Sequence, residues 1–253
     1  MYRLIIVGSP NAHGRSAHLA YELFESCIDE CPDDQVKIVS VASLHIEGCT
    51  GCDGCRDLVK KAKAQDAKRS SASDSANNDD TQADANVSAE PPTPACSKMC
   101  IIDDDMQEVY NAISAADEII VVAPVYFAGP TSQLKALLDR LQPFFWSDAR
   151  HEALKPATLH IIGEGHDPFG YDPLVTCVQS SLLCAGFELL NLFDWVGCIN
   201  ADGEITQEAQ QYTLYIDEES DEYTDVMEAD SAPSPQPKNK EVKLDLSGKK
   251  GRK

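Results

Sequence analysis

Short runs without a polar residue, each followed by a stretch of helical periodicity, constrain this chain more than any other feature. Residues 4–7 and 119–123 are apolar at every position. A strand with one wet face alternates. A strand that is apolar throughout is covered on both faces, as the strands of parallel sheets are. After the first run come Leu19, Ala20, Leu23, Phe24, Cys27, Ile28 and Cys31, which mark one helical face by their i, i+3, i+4 spacing. Residues 36–41 alternate as a strand does. Asp103, Asp104 and Asp105 can cap a helix that carries Met106, Val109, Tyr110 and Ile113 on one side. Pro124 halts the second apolar run, and Ser132 is the expected cap of a helix through Leu134, Leu137, Leu138 and Leu141. A strand over 158–162, a helix through Leu174, Val178 and Leu182, and a strand over 187–193 complete the series. Five strands alternating with helices predict an α/β fold, a doubly wound parallel sheet with helices on both faces.

Two stretches fall outside that pattern. Residues 66–95 are mostly Ser, Asp, Asn, Ala and Pro, with Val87 as their only large aliphatic side chain. Such a segment cannot offset its ordering entropy by burial, and it reads as a disordered insertion. From Asp217 an acidic run, a Ser-Pro stretch and a Lys-rich end read as a flexible tail over 217–253. One domain over 1–216 remains. The chain has 42 acidic against 21 basic residues, a net charge of −21, so a nucleic-acid backbone would be repelled. No apolar run reaches the ~18 residues that span a bilayer. The first residues show no charged leader with a cleavage site, so a soluble cytoplasmic protein is expected. Ten cysteines in so core-rich a chain read as reduced thiols, some of them ligands.

In a doubly wound sheet, ligands gather beyond the carboxyl ends of the strands, where the strand order reverses. Three loops are placed there. Residues 8–16, GSPNAHGRS, offer hydroxyls, an amide, an arginine, backbone N–H groups and a helix start, which together make an anion site. The plainer reading is a turn with Ser16 as helix cap. Neither a G-x-G-x-x-G fingerprint nor a P-loop is present, which argues against ordinary dinucleotide binding and ATP hydrolysis. Residues 124–130, PVYFAGP, form a rigid apolar segment able to lie along a flat ring. Across an anion loop, this suggests a phosphate-bearing aromatic cofactor. Residues 163–171, with His166, could close over it.

These residues resemble a known family. Gly8-Ser9-Pro10 with Ser16, the Cys49, Cys52, Cys55 spacing, Cys100 before Ile-Ile-Asp-Asp-Asp-Met, Pro124-Val125-Tyr126-Phe127, and Lys135 followed by Asp139-Arg140 are similar to the flavodoxin-fold NADPH-dependent FMN reductases, nearest the iron-sulfur flavoprotein branch. The resemblance implies a flavodoxin-like fold and FMN, with cofactor contacts from Ser9, Asn11, Arg15, Ser16, Pro124, Val125, Tyr126, Phe127 and Gly163. It implies a homodimer or homotetramer in which neighbouring chains help cover the flavin. Asp139, Arg140 and residues 143–146 would then serve packing and assembly.

The C-x2-C-x2-C spacing of Cys49, Cys52 and Cys55, with Gly48, Gly51 and Gly54 between, brings three thiolates onto one loop. A cubane [4Fe-4S] cluster needs one ligand more. Cys96 or Cys100 could supply it, and Cys100 keeps the family position. Tetrahedral zinc and free thiols or a reversible disulfide stand as alternatives. Cys27, Cys31, Cys177, Cys184 and Cys198 lie in apolar patterns and are expected in the core. The expected function is an FMN-dependent NAD(P)H oxidoreductase that passes electrons to a quinone, a flavin or a protein. Tyr126 and His166 are candidates for tuning the ring. An iron-sulfur electron carrier without a small-molecule substrate is the alternative, and a metal-thiolate protein that has lost its flavin is a third.

Overall fold

The computed structural model describes residues 1–73, 98–147, 149–165 and 167–214. The sheet is built from β1 (Tyr2–Val7), β2 (Gln35–Ser40), β3 (Glu118–Pro124), β4 (Lys155–Ile162), β5 (Phe187–Asp194) and β6 (Gln210–Thr213). Its order is β2-β1-β3-β4-β5-β6. The first five strands run parallel, and β6 pairs antiparallel with β5 through Asn191↔Thr213 and Asp194↔Gln210. The expected α/β fold is thus correct, with one added edge strand. All four β6 residues are exposed and polar or aromatic, so no apolar run announces that strand.

The full apolarity of β1 and β3 has a direct cause. Ile5, Val7, Ile120 and Val122 pack with Leu19, Ala20 and Cys27 of helix α1 (Arg15–Glu30) on one face. Leu4, Ile6, Ile119, Val121 and Ala123 pack on the other, against α3 (Met106–Ala115), α4 (Ser132–Asp139) and α6 (Asp172–Cys184). Each such Leu, Ile or Val contributes about 1.5–3 kcal/mol by leaving water. Two further helices, α2 (Gly54–Ser73) and α5 (Gln142–Trp146), pack on one another. Helix α2 carries regular structure eight residues into the segment expected to be a disordered insertion. The remainder of that segment, Cys96, His166 and the tail from 217 lie outside the described residues.

Local details differ from the expectations where a competing partner wins. The N-cap of α4 is Thr131, whose hydroxyl accepts from the Leu134 N–H at 3.1 Å, so Ser132 stands inside the helix. Asp105 is the N-cap position of α3 without a side-chain cap, because its carboxylate accepts the His45 N–H at 2.7 Å instead. Ser16 does not cap α1: Gly14 holds that position. Cys27 and Cys198 are buried, whereas Cys31, Cys177 and Cys184 are only half-buried. Arg3 Nη1 lies 3.6 Å from the Cys27 sulfur and Arg3 Nη2 lies 3.8 Å from that of Cys31, which stands at the C-cap of α1 rather than on its buried face. Among the described residues no helix is long and apolar enough to cross a membrane.

Candidate functional site

The sheet reverses its winding between β1 and β3, and the loops after these strands flank the reversal. A cleft of about 690 Å³ opens there, within the range of cofactor pockets. Ser9, Asn11, Gly14, Arg15 and Ser16 line it on the side of the first loop, and Pro124, Val125 and Tyr126 line it together with Gly163 and Val196, a Cβ at Gly163 falling 3.3 Å from Val196 and 3.8 Å from Val125. Eight of the nine expected cofactor contacts therefore face one cleft. Phe127 does not. It sits with Ala128 at φ 52° and 62° in a two-residue turn, closed by Tyr126 N–H to Gly129 O and Gly129 N–H to Tyr126 O at 2.9 and 3.0 Å. That turn carries its ring clear of the cleft, 100% exposed.

The anion end is organised by its own backbone. The Asn11 N–H donates to the Ser9 hydroxyl at 3.1 Å, and the His13 N–H to the Asn11 side-chain oxygen at 3.0 Å. Ser9 and Ser16 are 5% and 3% exposed. No side chain caps α1 at Gly14, so the positive end of its dipole opens on the cleft. Arg15 Nη2 meets Glu164 Oε1 at 2.7 Å, an ion pair that ties the first loop to the third. Sequence reasoning passed over Glu164 because nothing in its spacing relates it to Arg15. The third loop is also held at its far end, where the Tyr171 hydroxyl donates to Asp194 at 2.8 Å. Burial, then that carboxylate, pushes the Tyr171 phenol well above its ordinary pKa. Tyr171 accordingly stays protonated and holds the loop.

A second pocket of about 240 Å³ is lined by Cys49, Cys52, Cys55 and Cys100, with Tyr110, Arg140 and Trp146. The loop bearing the first three cysteines turns through Gly51 at φ 64° and Asp53 at φ 57°. Gly54 is required by close approach, since a Cβ there would meet Ile101 at 2.8 Å, whereas Gly48 faces open space. The Gly54 N–H and the Thr50 hydroxyl, both hydrogen-bonding to the Cys52 thiol, draw its pKa down; burial pushes that of Cys55 up. The four thiols suit a soft metal or a cluster by their chemistry. Among the described residues, however, no three His, Cys, Asp or Glu side chains are drawn to metal-ligand closeness. The pocket gathers the donors without closing them into a site.

The loop is clamped by a buried ion pair between Arg140, expected in packing and assembly, and Asp104, expected at a helix start. Arg140 Nη1 and Nη2 reach the two Asp104 oxygens at 2.8 and 3.0 Å, with side chains 2% and 1% exposed. Arg140 Nη1 also donates to the Glu47 carbonyl at 3.0 Å, and the Glu47 N–H donates to Asp104 at 2.9 Å. Burial works against both charges, but these bonds outweigh it, so Asp104 is held below its ordinary pKa and Arg140 above. Arg140 thus works inside its own chain. Its Nε is buried without a hydrogen-bond partner, an omission that costs about 1–3 kcal/mol for a typical donor.

A model of the NADPH-dependent FMN reductase family matches residues 80–168, a span that includes Cys100, the wall 124–126 and Gly163. An iron-sulfur flavoprotein of Methanosarcina thermophila is 61% identical over 41 residues, 16% of this chain and 22% of that protein. An iron-sulfur flavoprotein of Methanocaldococcus jannaschii is 26% identical over 138 residues, 54% of this chain and 50% of that protein. The chain resembles the flavodoxin-fold FMN reductases, nearest their iron-sulfur flavoprotein branch. It spans half or less of the length of these two relatives. Among solved structures, an apo NADH:FMN oxidoreductase is 20% identical over 76% of this chain and 74% of that one, with a TM-score of 0.43. An azoreductase from Bacillus anthracis is 13% identical over 77% and 86%, with a TM-score of 0.47.

Proposed function

We propose that this FMN reductase-like protein is an FMN-dependent oxidoreductase that takes electrons from a reduced nicotinamide nucleotide and passes them to a quinone, a free flavin or a protein. The observation that carries the reading is the cleft at the strand reversal, anionic-ligand chemistry at one end and an apolar wall at the other. When bound, the flavin supplies the hydride and electron chemistry, and the chain supplies binding and electrostatics. Ser9, Asn11, Ser16, the open N-terminus of α1 and Arg15 hold the phosphate. Pro124, Val125 and Tyr126, with Gly163 and Val196 beside Val125, lie along the ring. No side chain is assigned as a catalytic acid, and Tyr126 tunes or orients. NADH and NADPH are both candidate donors.

The visible spectrum of anaerobically purified protein, with iron, zinc and sulfide content, tests this before and after addition of NADPH or NADH. A two-band flavin spectrum that bleaches supports the oxidoreductase. A protein that neither retains nor rebinds FMN refutes it and leaves a metal-thiolate protein on this scaffold. The shared pocket of Cys49, Cys52, Cys55 and Cys100 favours a second reading, an iron-sulfur electron carrier, whose turnover with a protein partner falls steeply as salt rises. In that reading Cys52→Ala abolishes the iron-dependent absorbance and leaves the flavin. A homodimer or homotetramer belongs to the same proposal, and light scattering checks it.

A further inference from the structure

We infer that a third cavity, at the amino-terminal ends of β4 and β5, binds an aliphatic carboxylate, and that Lys155 receives its charged head. Lys155 is the first residue of β4 and Phe187 the first of β5, so this cavity lies at the opposite end of the sheet from the cleft. The inference is independent of the flavin reading. The cavity holds about 390 Å³, within the ~300–1,000 Å³ of small-molecule sites. Leu58 and Val59 of α2, Ile113 of α3, Phe144 of α5 and Phe187 give it an apolar lining. Its charged lining is Lys63, Lys98 and Lys155 against Glu152 alone, a local excess of cations in a chain of net charge −21.

Lys155 carries the argument. It is half-buried, and among the described residues no carboxylate pairs with it, although the chain has 42 acids. Its Nζ donates to the Ala116 carbonyl at 2.7 Å and lies 5.6 Å from the centre of the Phe187 ring. Ala116 ends α3, and a helix C-terminus and an aromatic face each favour a cation. Together they fix the ammonium beside the cavity and leave its other donors without a protein acceptor. A partly buried charge calls for a counter-ion, and here an anionic ligand supplies it. Lys98 can assist from the rim. Its one ion pair, to Asp103, is 3.6 Å long between side chains 54% and 101% exposed, so little is lost when the ammonium turns to a ligand. Glu152 weighs against a doubly charged head such as a phosphate, and the apolar lining calls for an alkyl body.

The test measures binding of decanoate to the full chain by equilibrium dialysis, with decanol as the uncharged probe of the same length and circular dichroism reporting the fold. Wild type is expected to take up one decanoate per chain, about tenfold or more tightly than decanol, as a hydrogen bond to a charged group implies. Lys155→Met keeps the alkyl stem, and should bind decanoate no better than decanol. Lys98→Gln stands on the exposed rim, where it cannot unsettle the fold, and should weaken decanoate about 1.4- to fivefold and lessen the loss of affinity as salt rises. Ala153 is an exposed residue of the lining, and Ala153→Phe should fill the cavity and abolish binding of both probes. The inference is overturned by a wild type that binds no decanoate, or that binds decanol equally well. Undiminished decanoate affinity in folded Lys155→Met or in Ala153→Phe also overturns it. Decanoate binding that vanishes as the protein associates at higher concentration would show that a second copy covers this face, and overturns the small-molecule site as well.

Discussion

Glu164 competes with the ligand for which Arg15 is placed, and the competition can be measured. The two meet at 2.7 Å, with side chains 26% exposed for Arg15 and 78% for Glu164. An ion pair so wet is worth about 0.2–1 kcal/mol. A phosphate arriving at Arg15 either displaces that carboxylate or shares the guanidinium with it, and loses about that much in doing so. Glu164→Gln returns it, and FMN should bind about 1.4- to fivefold tighter, as 1.4 kcal/mol is tenfold. The gain should shrink as salt rises, because the screening length falls from ~10 Å at 0.1 M to ~3 Å at 1 M. Quenching of flavin fluorescence in a titration of the apo protein gives the dissociation constant directly. Arg15→Gln should weaken binding, and in that background Glu164→Gln should change nothing, since the pair acts only through its partner. Additive effects of the two substitutions, or an unchanged constant in Glu164→Gln alone, would refute the competition.

Three other substitutions follow from the same geometry. Ser16→Asp places a carboxylate in the first turn of α1. A like charge ~5 Å from the phosphate costs on the order of 3 kcal/mol at an effective dielectric of 20, so FMN affinity should fall well over tenfold in the same titration. An acid in the first turn favours the helix by about 0.3–1 kcal/mol, which offsets part of the cost of placing a carboxylate where Ser16 is buried, so a melting curve accompanies the titration. Phe127→Asn relieves a left-handed phenylalanine whose ring is 100% exposed, and should raise stability by about 0.5–1 kcal/mol, seen as a Tm higher by ~1–4 °C. His160 is stacked on Phe193 and accepts the Trp195 indole N–H at Nδ1, 3.0 Å away. Burial pushes its pKa down to about 4, so the unfolded chain binds the extra proton between about pH 6.5 and 4. Unfolding free energy should therefore fall as pH falls through that window, by up to about 1.4 kcal/mol per unit, and His160→Asn should flatten the slope in urea titrations.

The sequence made most of the sheet legible, and for a physical reason. Covered on both faces, β1 and β3 had to be apolar throughout, and that requirement is visible in any window containing 4–7 or 119–123. The edge strand β6 has no such requirement, and Gln210, Gln211, Tyr212 and Thr213 carry no signal of it. The cleft was legible because loops after adjacent parallel strands must meet at the reversal. What the chain hid were partners distant in sequence with no periodicity to relate them: Glu164 on Arg15, Asp105 on His45, Asp104 on Arg140 and Glu47. Three aspartates before a helix suggest caps, and Asp104 does accept the Met106 N–H at 3.2 Å, yet Asp104 and Asp105 also bind partners across the fold. Phe127 was misplaced for a related cause, since a composition of ring-binding type says nothing about the sign of φ.

Helix α4 runs from the anion loop to the cysteine pocket, and one substitution at its start can show whether it couples them. Thr131 caps the helix and donates its hydroxyl to the Gly8 carbonyl at 2.6 Å, which seats α4 on the anion loop. Arg140 ends the same helix at the cysteine pocket, about 13 Å further along at 1.5 Å per residue. Gly8 lies so near α4 that a Cβ would meet Leu134 Cδ2 at 2.6 Å and its Cβ and Cγ at 3.2 Å. Gly8→Ala must therefore push Leu134, which is fully buried, and α4 with it, at a cost of about 1–3 kcal/mol for overpacking. If the helix moves as a rigid rod, FMN affinity falls and so does the affinity of the cysteine pocket for Cd²⁺, although Gly8 touches no cysteine. Leu134→Ala alone leaves a cavity and costs about 2–5 kcal/mol. Combined with Gly8→Ala it supplies the missing room, so the double variant should be more stable than the sum of the two predicts and should recover both affinities. A Gly8→Ala protein with weakened FMN binding and unaltered Cd²⁺ binding would mean that Leu134 yields locally, and that α4 does not couple the two sites.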